Sequence, residues 1–597
     1  MMSPIRLGTD LKTNETVALE PDALSRHCHC VGATGAGKTV ALHALLRPIM
    51  RQPPRRGGSC VFVIDPLGGL SHDLLMWIAS PRCPSHVRKR LLYIEPANNE
   101  FVLPFNPLQL AVGDDRYYHT ARTVDLIMRQ WQAQDMAQQP RLMQWSYQAM
   151  TAIAEMQLPI AISEYLLHPG SDEHKAILRK LPDQLRCRWL EILNARGSES
   201  TRILESTRNR FDPIYSAPQI RRMLGVTEGR LDVERLIRER RIVIVNVAKL
   251  GKLSHQLGNT IGALLLNEIF ETAFRMATVH GREFVDPTLV VLDEFQRFAA
   301  SPDIEDAIPT VRQVGLKLCL AHQSYSQLVQ GDIDLTNMIW QAQNRLMFAN
   351  NAEDADIIAN ELAVHTFDAY RIKNEIYQRK QLVKGHRKVW LETVGFADTT
   401  ADSTVNQRSV GYNRTSGRTR PNTSNDYTRN DGSGRSDGST RGTTRAVSHS
   451  DSSGRHEAHL PVYEELKELS SVQYYSFDEQ RLDWMKAVRQ LKTGHCFGKF
   501  VDDDCLRSIL IDYAPVRETP RAEERLRELK QRNYEQDFFI TKQEADQLTE
   551  RARQQLLEPP RIVLTTPPIE PVPRPSTSEP TTSDSTPDPF QWTDPNT

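Results

Sequence analysis

The segment Gly32-Ala33-Thr34-Gly35-Ala36-Gly37-Lys38-Thr39 carries the residue types that hold a nucleoside polyphosphate. Its spacing fits G-x-x-x-x-G-K-[ST]. Glycines let consecutive backbone N–H groups turn inward around a phosphate, and the helix that follows adds the positive end of its dipole. Lys38 would reach the β- and γ-phosphates of ATP, and the Thr39 hydroxyl would hold Mg²⁺. A magnesium-binding carboxylate should end a buried strand beside such a loop. Two runs compete, Val61-Phe62-Val63-Ile64-Asp65 and Leu289-Val290-Val291-Leu292-Asp293. Only the second is followed by another acid, Glu294, so Asp293 is expected in the metal shell and Glu294 beside the attacking water. Asp65, followed by proline, is expected to end a neighbouring strand.

Downstream, Leu316-Lys317-Leu318-Cys319-Leu320-Ala321 is a largely apolar run that ends in His322-Gln323. Ends of parallel strands gather on one edge of a sheet, where ligands bind, so Gln323 is a candidate γ-phosphate sensor. A surface amide capping the next turn would look the same. Arg312 is the candidate arginine finger, a guanidinium offered to a neighbouring subunit's transition state; a solvated helix arginine is the plain alternative. The cluster His27-Cys28-His29-Cys30 invites a metal reading. It lies on the strand that feeds the phosphate loop, where successive side chains point to opposite faces, so its ligands should scatter.

These groups need a scaffold, and the pattern supplies one. Strand-length apolar runs alternate with helical periodicity, which points to an α/β fold: a RecA-like P-loop NTPase core with a mainly parallel sheet, plus an inserted all-α domain. Residues 1–110 form the first part of the core and 226–397 the second. Between them, 111–225 shows helical spacing and frequent arginine (Arg202, Arg208, Arg210, Arg221, Arg222), and reads as an all-helical insertion. Residues 398–457 are rich in Ser, Thr, Gly, Asn, Arg and Asp, too poor in apolar side chains to offset ordering entropy, and are expected to be a disordered loop. Residues 458–515 close the core with a helix and a hairpin. A charged helical segment (516–557) and a Pro/Ser/Thr-rich tail (558–597) follow.

The bulk properties narrow the function. The 597 residues are 39% apolar and 25% charged, with a formal net charge of −1. That excludes coating nucleic acid by bulk charge, so a grip on DNA must come from local basic patches or a pore lining. No stretch approaches the ~18 consecutive apolar residues of a membrane span. The eight cysteines include no CxxC pair, as suits reduced thiols in a cytosolic protein. The expected location is cytoplasmic, with any membrane contact made through a partner.

With these pieces placed, the chain resembles the HerA/FtsK superfamily of ring-forming DNA translocases, and within it the TraG/TraD-type coupling ATPases of type IV secretion. The resemblance rests on Ile5-Arg6-Leu7-Gly8, His27 leading into Gly32–Thr39, Val63-Ile64-Asp65-Pro66-Leu67-Gly68, Phe105-Asn106-Pro107-Leu108, Leu292-Asp293-Glu294-Phe295, and Arg312, Gly315 and Ala321-His322-Gln323-Ser324. It implies a hexamer with ATP and Mg²⁺ at subunit interfaces and DNA in the channel. It also implies that Arg312 is the finger, that Gln323 is the sensor, and that a helical domain meets the DNA-processing machinery. Three departures from the family are expected: no membrane-spanning helix, no room before Gly32 for an N-terminal β-barrel, and Asp65-Pro66-Leu67-Gly68-Gly69 where the family often has Asp-Pro-His-Gly-Asp. Two other functions share the engine. One is a secretion-type ATPase or recruitment hub acting on proteins, with the tail as a docking segment. The other is a HerA-like motor joined to an effector in DNA processing or defence.

Overall fold

The computed structural model describes residues 3–111, 115–131, 140–194, 199–248, 253–285, 287–298, 307–330, 333–402, 408–419, 428–439 and 445–558. The chain divides into two compact units. One comprises residues 1–366 with 481–597, and the other is Phe367–Gln480.

The first unit is built on an eleven-stranded sheet. In chain order its strands are β1 (Ile5–Asp10), β2 (Thr16–Leu19), β3 (Cys28–Val31), β4 (Cys60–Asp65), β5 (Leu91–Ile94), β6 (Ile242–Asn246), β7 (Thr288–Leu292), β8 (Leu316–His322), β9 (Asn344–Met347), β10 (His495–Phe500) and β11 (Asp503–Ile511). Their order across the sheet is β2-β1-β11-β10-β9-β3-β8-β7-β4-β6-β5. The run from β9 to β5 is parallel throughout, and the hairpin β10–β11 and the pair β1–β2 extend it antiparallel.

Strands buried on both faces read as unbroken apolar runs, and β4, β6 and β7 are buried at every position. Alternation divides them between two layers. Val61, Val63 and Val291 face the helices Lys38–Arg51 and Gly69–Ala79, with Leu42, Leu45 and Leu74 in the same cluster. Phe62, Ile64 and Val290 lie on the other side with Leu264 and Leu265 of the helix His255–His280. Between β5 and β6 the described residues include helices from Arg116–Trp131 to Pro218–Met223, and Trp189, fully buried, stands edge-on to Trp145 at 5.3 Å. Arg202 falls where side chains lie outside the described residues.

The charged segment after residue 516 belongs to this same unit. Its first helix, Pro520–Tyr534, covers the edge strand β5. The Asn533 amide accepts from the Tyr93 N–H at 2.7 Å and donates to the Tyr93 carbonyl at 2.8 Å. An edge strand with free backbone groups is a template for unwanted pairing, and this amide occupies them. Among the described residues no helix is long and apolar enough to cross a membrane.

The second unit is an antiparallel ribbon in which Ile372–Asp402 pairs with Arg445–Tyr474, and Arg408–Thr419 with Thr428–Ser439. Within 398–457 the described residues are extended and paired. Residues 403–407, 420–427 and 440–444, and the tail from 559 to 597, lie outside the described residues.

Candidate functional site

The phosphate loop springs from the C-terminal end of β3, the middle strand of the eleven. Its entry is fixed by neighbouring strands: the Gly32 N–H donates to the His322 carbonyl at 3.4 Å and the Ala33 N–H to Ala349 at 2.9 Å. Gly37 sits at φ 122°, and a Cβ there would meet the Gly494 nitrogen at 2.8 Å, so only glycine serves at this turn. The helix Lys38–Arg51 then starts with its free N–H groups at the loop.

Lys38 is buried, and its ammonium donates to the carbonyls of Gly32 (2.5 Å) and Ala33 (3.4 Å). Burial holds it below its usual range, with Glu294 and Asp293 opposing the shift. Asp293 and Glu294 follow β7 directly and are 7% and 3% exposed. Burial pushes the Asp293 carboxyl up to about 7, helped by the neighbouring negative charges of Asp65 and Glu294 and opposed by Lys38. The buried carboxylate of Asp293 and the Thr39 hydroxyl are groups of the kind that would hold a magnesium ion. Glu294 has φ 48°, in the left-handed region that a side chain rarely adopts. Two glutamines hold its carboxylate. Gln323 Nε2 donates to Glu294 Oε1 at 2.9 Å, while Gln296 Nε2 donates to Oε2 at 2.7 Å and also lies 2.9 Å from Gln327 Oε1. The Thr34 hydroxyl donates to Gln323 Oε1 at 2.9 Å. A chain of hydrogen bonds thus runs from the phosphate loop through Gln323 to Glu294.

Sequence reasoning placed Lys38, Asp293, Glu294 and Gln323 at one site, and the structure brings them together. It missed Gln296 and Gln327. Gln296, two residues beyond Glu294, was within reach of inspection, but Gln327 arrives through a turn that leaves no local trace. Asp65 is turned to its own loop: its carboxylate accepts from the N–H groups of Leu67 (2.9 Å), Gly68 (2.7 Å) and Ser71 (2.7 Å), which start the helix Gly69–Ala79. Arg312 is not brought to the site within this chain. It lies exposed on the helix Ala307–Gln313, before the start of β8, whereas Gln323 follows the end of that strand. Seven residues of strand separate the two ends by roughly 20 Å. Its side chain has no partner among the described residues.

The cluster His27–Cys30 divides between two faces, but its thiols converge instead of scattering, because Cys319 of the adjacent strand meets both on one face. Cys28 and Cys30 meet Cys319 of β8 on one face, three buried thiols within 4.8 Å of one another in the apolar layer below the phosphate-loop helix. On the other face His29 meets His322, with Nε2 atoms 2.8 Å apart and rings within 4° of parallel. The Ser324 carbonyl accepts from His322 Nδ1 at 3.1 Å. His322 Nδ1 therefore carries the proton, and its Nε2 accepts from His29 Nε2–H. His29 Nδ1 is left as a buried lone pair without a hydrogen-bond partner.

Burial holds both imidazoles below their usual range, His322 at about 4. In the unfolded chain each titrates near ~6.5. Between those values the unfolded state binds more protons than the folded state, so stability is fully present above pH ~6.5 and falls as pH drops toward 4. His322 alone accounts for about 3 kcal/mol across that window. Urea unfolding at pH 7, 6 and 5 should show this fall, and His322→Gln should flatten it. A fall equally steep in the variant would assign the effect elsewhere.

Two family models match the chain. One, described as the central domain of the helicase HerA, covers residues 5–269, and one described as the TraM recognition site of TraD and TraG covers residues 287–391. Among solved structures, the unbound bacterial conjugative coupling protein TrwBdeltaN70 is similar at 12% identity and TM-score 0.45, over 84% of this chain and 88% of that one. The plasmid coupling protein TrwB with a non-hydrolysable GTP analogue gives 11% and 0.45, over 87% and 97%. VirB4 of Thermoanaerobacter pseudethanolicus gives 15% and 0.37, over 60% and 87%. No curated protein matches the chain.

Proposed function

Since the chain carries a HerA-type central domain followed by a TraD/TraG-type segment, we propose that it is an ATP-hydrolysing motor that moves DNA as a ring of subunits, serving as the coupling ATPase of conjugative transfer through a type IV secretion system. The observation that carries the hydrolytic part is the hydrogen-bonded chain Thr34–Gln323–Glu294, which joins the phosphate loop to the buried acidic pair.

In this reading the loop N–H groups and Lys38 take the β- and γ-phosphates. Thr39 and Asp293 hold Mg²⁺, which when bound offsets charge on the β- and γ-oxygens. Glu294, anchored by Gln296 and Gln323, orients the attacking water and accepts its proton. Gln323 touches both the loop and Glu294, so a change at the γ-phosphate reaches the acid through one side chain. Coupling to DNA is supported by the family of the two matched segments. The TraD/TraG-type segment points to a partner in the DNA-processing machinery, and the helical insertion offers a surface for it.

The test is ATP hydrolysis with and without single- and double-stranded DNA at two salt concentrations. Stimulation that weakens with salt is expected, because backbone contacts release counterions. Turnover indifferent to DNA at both salts would overturn the translocase and favour the protein-handling ATPase.

Arg312, exposed and far along β8 from its own phosphate loop, is assigned to a neighbour's site. Arg312→Ala should lower turnover by about 10³-fold, the order reported for a finger arginine. Mixing it with Lys38→Ala protein should restore part of the activity. The mixed ring contains interfaces that pair an intact loop from one subunit with an intact finger from the next. An absence of recovery on mixing would place Arg312 outside the interface chemistry.

A further inference from the structure

A cation-lined cavity lies at the far edge of the sheet. It measures about 740 Å³ and opens between the helix Ser85–Arg90, the first residue of β5 and the helix Pro520–Tyr534. Five cations line it, Arg88, Lys89, Arg241, Arg525 and Arg532, against two acids, Glu528 and Asp537. Asp537 already accepts from Arg235 at 2.8 Å, so its charge is engaged outside the cation set.

Arg241 pairs with Glu239 at 3.7 Å and donates to the Leu91 carbonyl at 3.2 Å, and Arg88 donates to the Ser80 carbonyl at 3.1 Å. Lys89, Arg525 and Arg532 make no ion pair among the described residues. The Nε atoms of Arg241 and Arg525 are buried without a hydrogen-bond partner. Arg241 is only 13% exposed at its side chain and lies against the Phe538 ring at 5.7 Å, so its guanidinium is held in place. Gathering like charges around a cavity costs free energy unless an anion offsets it, and a buried unpaired donor adds to that cost.

We propose that this cavity binds a phosphate-chain anion, the polyphosphate arm of a nucleotide or a linear polyphosphate. Guanidinium forks meet phosphate oxygens two at a time, which a carboxylate-poor wall with several arginines favours. The volume falls in the range of small-molecule sites, roughly 300–1,000 Å³.

The site is separate from the phosphate loop. Leu91 is the N-terminal residue of β5, whereas the loop follows the C-terminal end of β3 in the same parallel run. The two strands are five positions apart in the sheet, roughly 24 Å at ~4.8 Å per strand. The ligand would bridge the core to the helix that covers its edge strand.

The test uses full-length Lys38→Ala protein, which removes the main cation of the phosphate loop, titrated calorimetrically with inorganic tripolyphosphate and, separately, with a short single-stranded oligonucleotide. One equivalent of tripolyphosphate should bind, and adding Arg525→Gln with Arg532→Gln should weaken it by roughly tenfold or more. The unliganded unfolding midpoint should not move, since neither arginine has an ion partner to lose. In an otherwise unchanged chain the same pair should leave basal ATP turnover intact, which separates this site from the hydrolytic one. No tripolyphosphate binding, or binding indifferent to the two substitutions, would overturn the proposal. So would oligonucleotide binding alone, which would make the arginines an open patch for a polymer backbone.

Discussion

Glu294→Gln should lower ATP turnover by about 10³-fold while changing nucleotide affinity by no more than about threefold, since a general base acts in the transition state and contributes little to ground-state binding. The geometry sharpens the expectation. Each carboxylate oxygen of Glu294 accepts from a different amide, Oε1 from Gln323 and Oε2 from Gln296. An amide in its place must turn its own NH₂ toward one of those donors. If it faces Gln323, that hydrogen bond is lost unless the Gln323 amide flips, its Nε2 then donating to the Thr34 hydroxyl. The backbone at Glu294 is held at φ 48°, which orders the carboxylate at a cost of order 1–3 kcal/mol that the surrounding hydrogen bonds offset. Fluorescent-nucleotide binding beside steady-state turnover checks both halves. Turnover within tenfold of the parent would show that the base lies elsewhere.

Lys38→Ala should remove turnover to the limit of detection and weaken nucleotide binding by roughly 10- to 100-fold, because the lost cation acts on both ground and transition states. Its ammonium is the cation that opposes the rise of Asp293. Without it the two buried carboxylates repel each other with less compensation, and Asp293, already at about 7, moves further up. Near neutral pH more of the protein would then carry a protonated Asp293 that must release its proton before taking Mg²⁺. Magnesium binding should therefore weaken in the variant and recover partly as pH rises. Titrating Mg²⁺ against a bound fluorescent nucleotide at pH 7 and 8.5 measures this. Identical magnesium affinity in parent and variant at both values would show that Lys38 and Asp293 are not electrostatically coupled.

Much of this protein was set locally along the chain. The phosphate loop depends on glycines at fixed offsets and on the strand and helix that flank it, all within about twenty residues. The runs Val61–Asp65 and Leu289–Asp293 declared buried parallel strands because both faces must be apolar, and the acid doublet marked which one ends at the site. The alternation of His27–Cys30 was also legible, since side-chain direction in a strand has period two.

What the chain could not reveal is what meets across it. The contact between His29 and His322 spans 293 positions, and that between Asn533 and Tyr93 spans 440; each exists only once the sheet has ordered its strands. Gln327 reaches Gln296 through a turn, and Cys319 reaches Cys28 through strand adjacency, with no local pattern in either case. Arg312 shows the same limit: its residue type suggested a finger, and the fold placed it exposed before the start of β8, away from the strand end that carries Gln323. Sequence determined which groups could do chemistry, because their types and spacing are local properties. Tertiary structure decided which of them share a site, because strand order and register are settled by burial of the whole sheet.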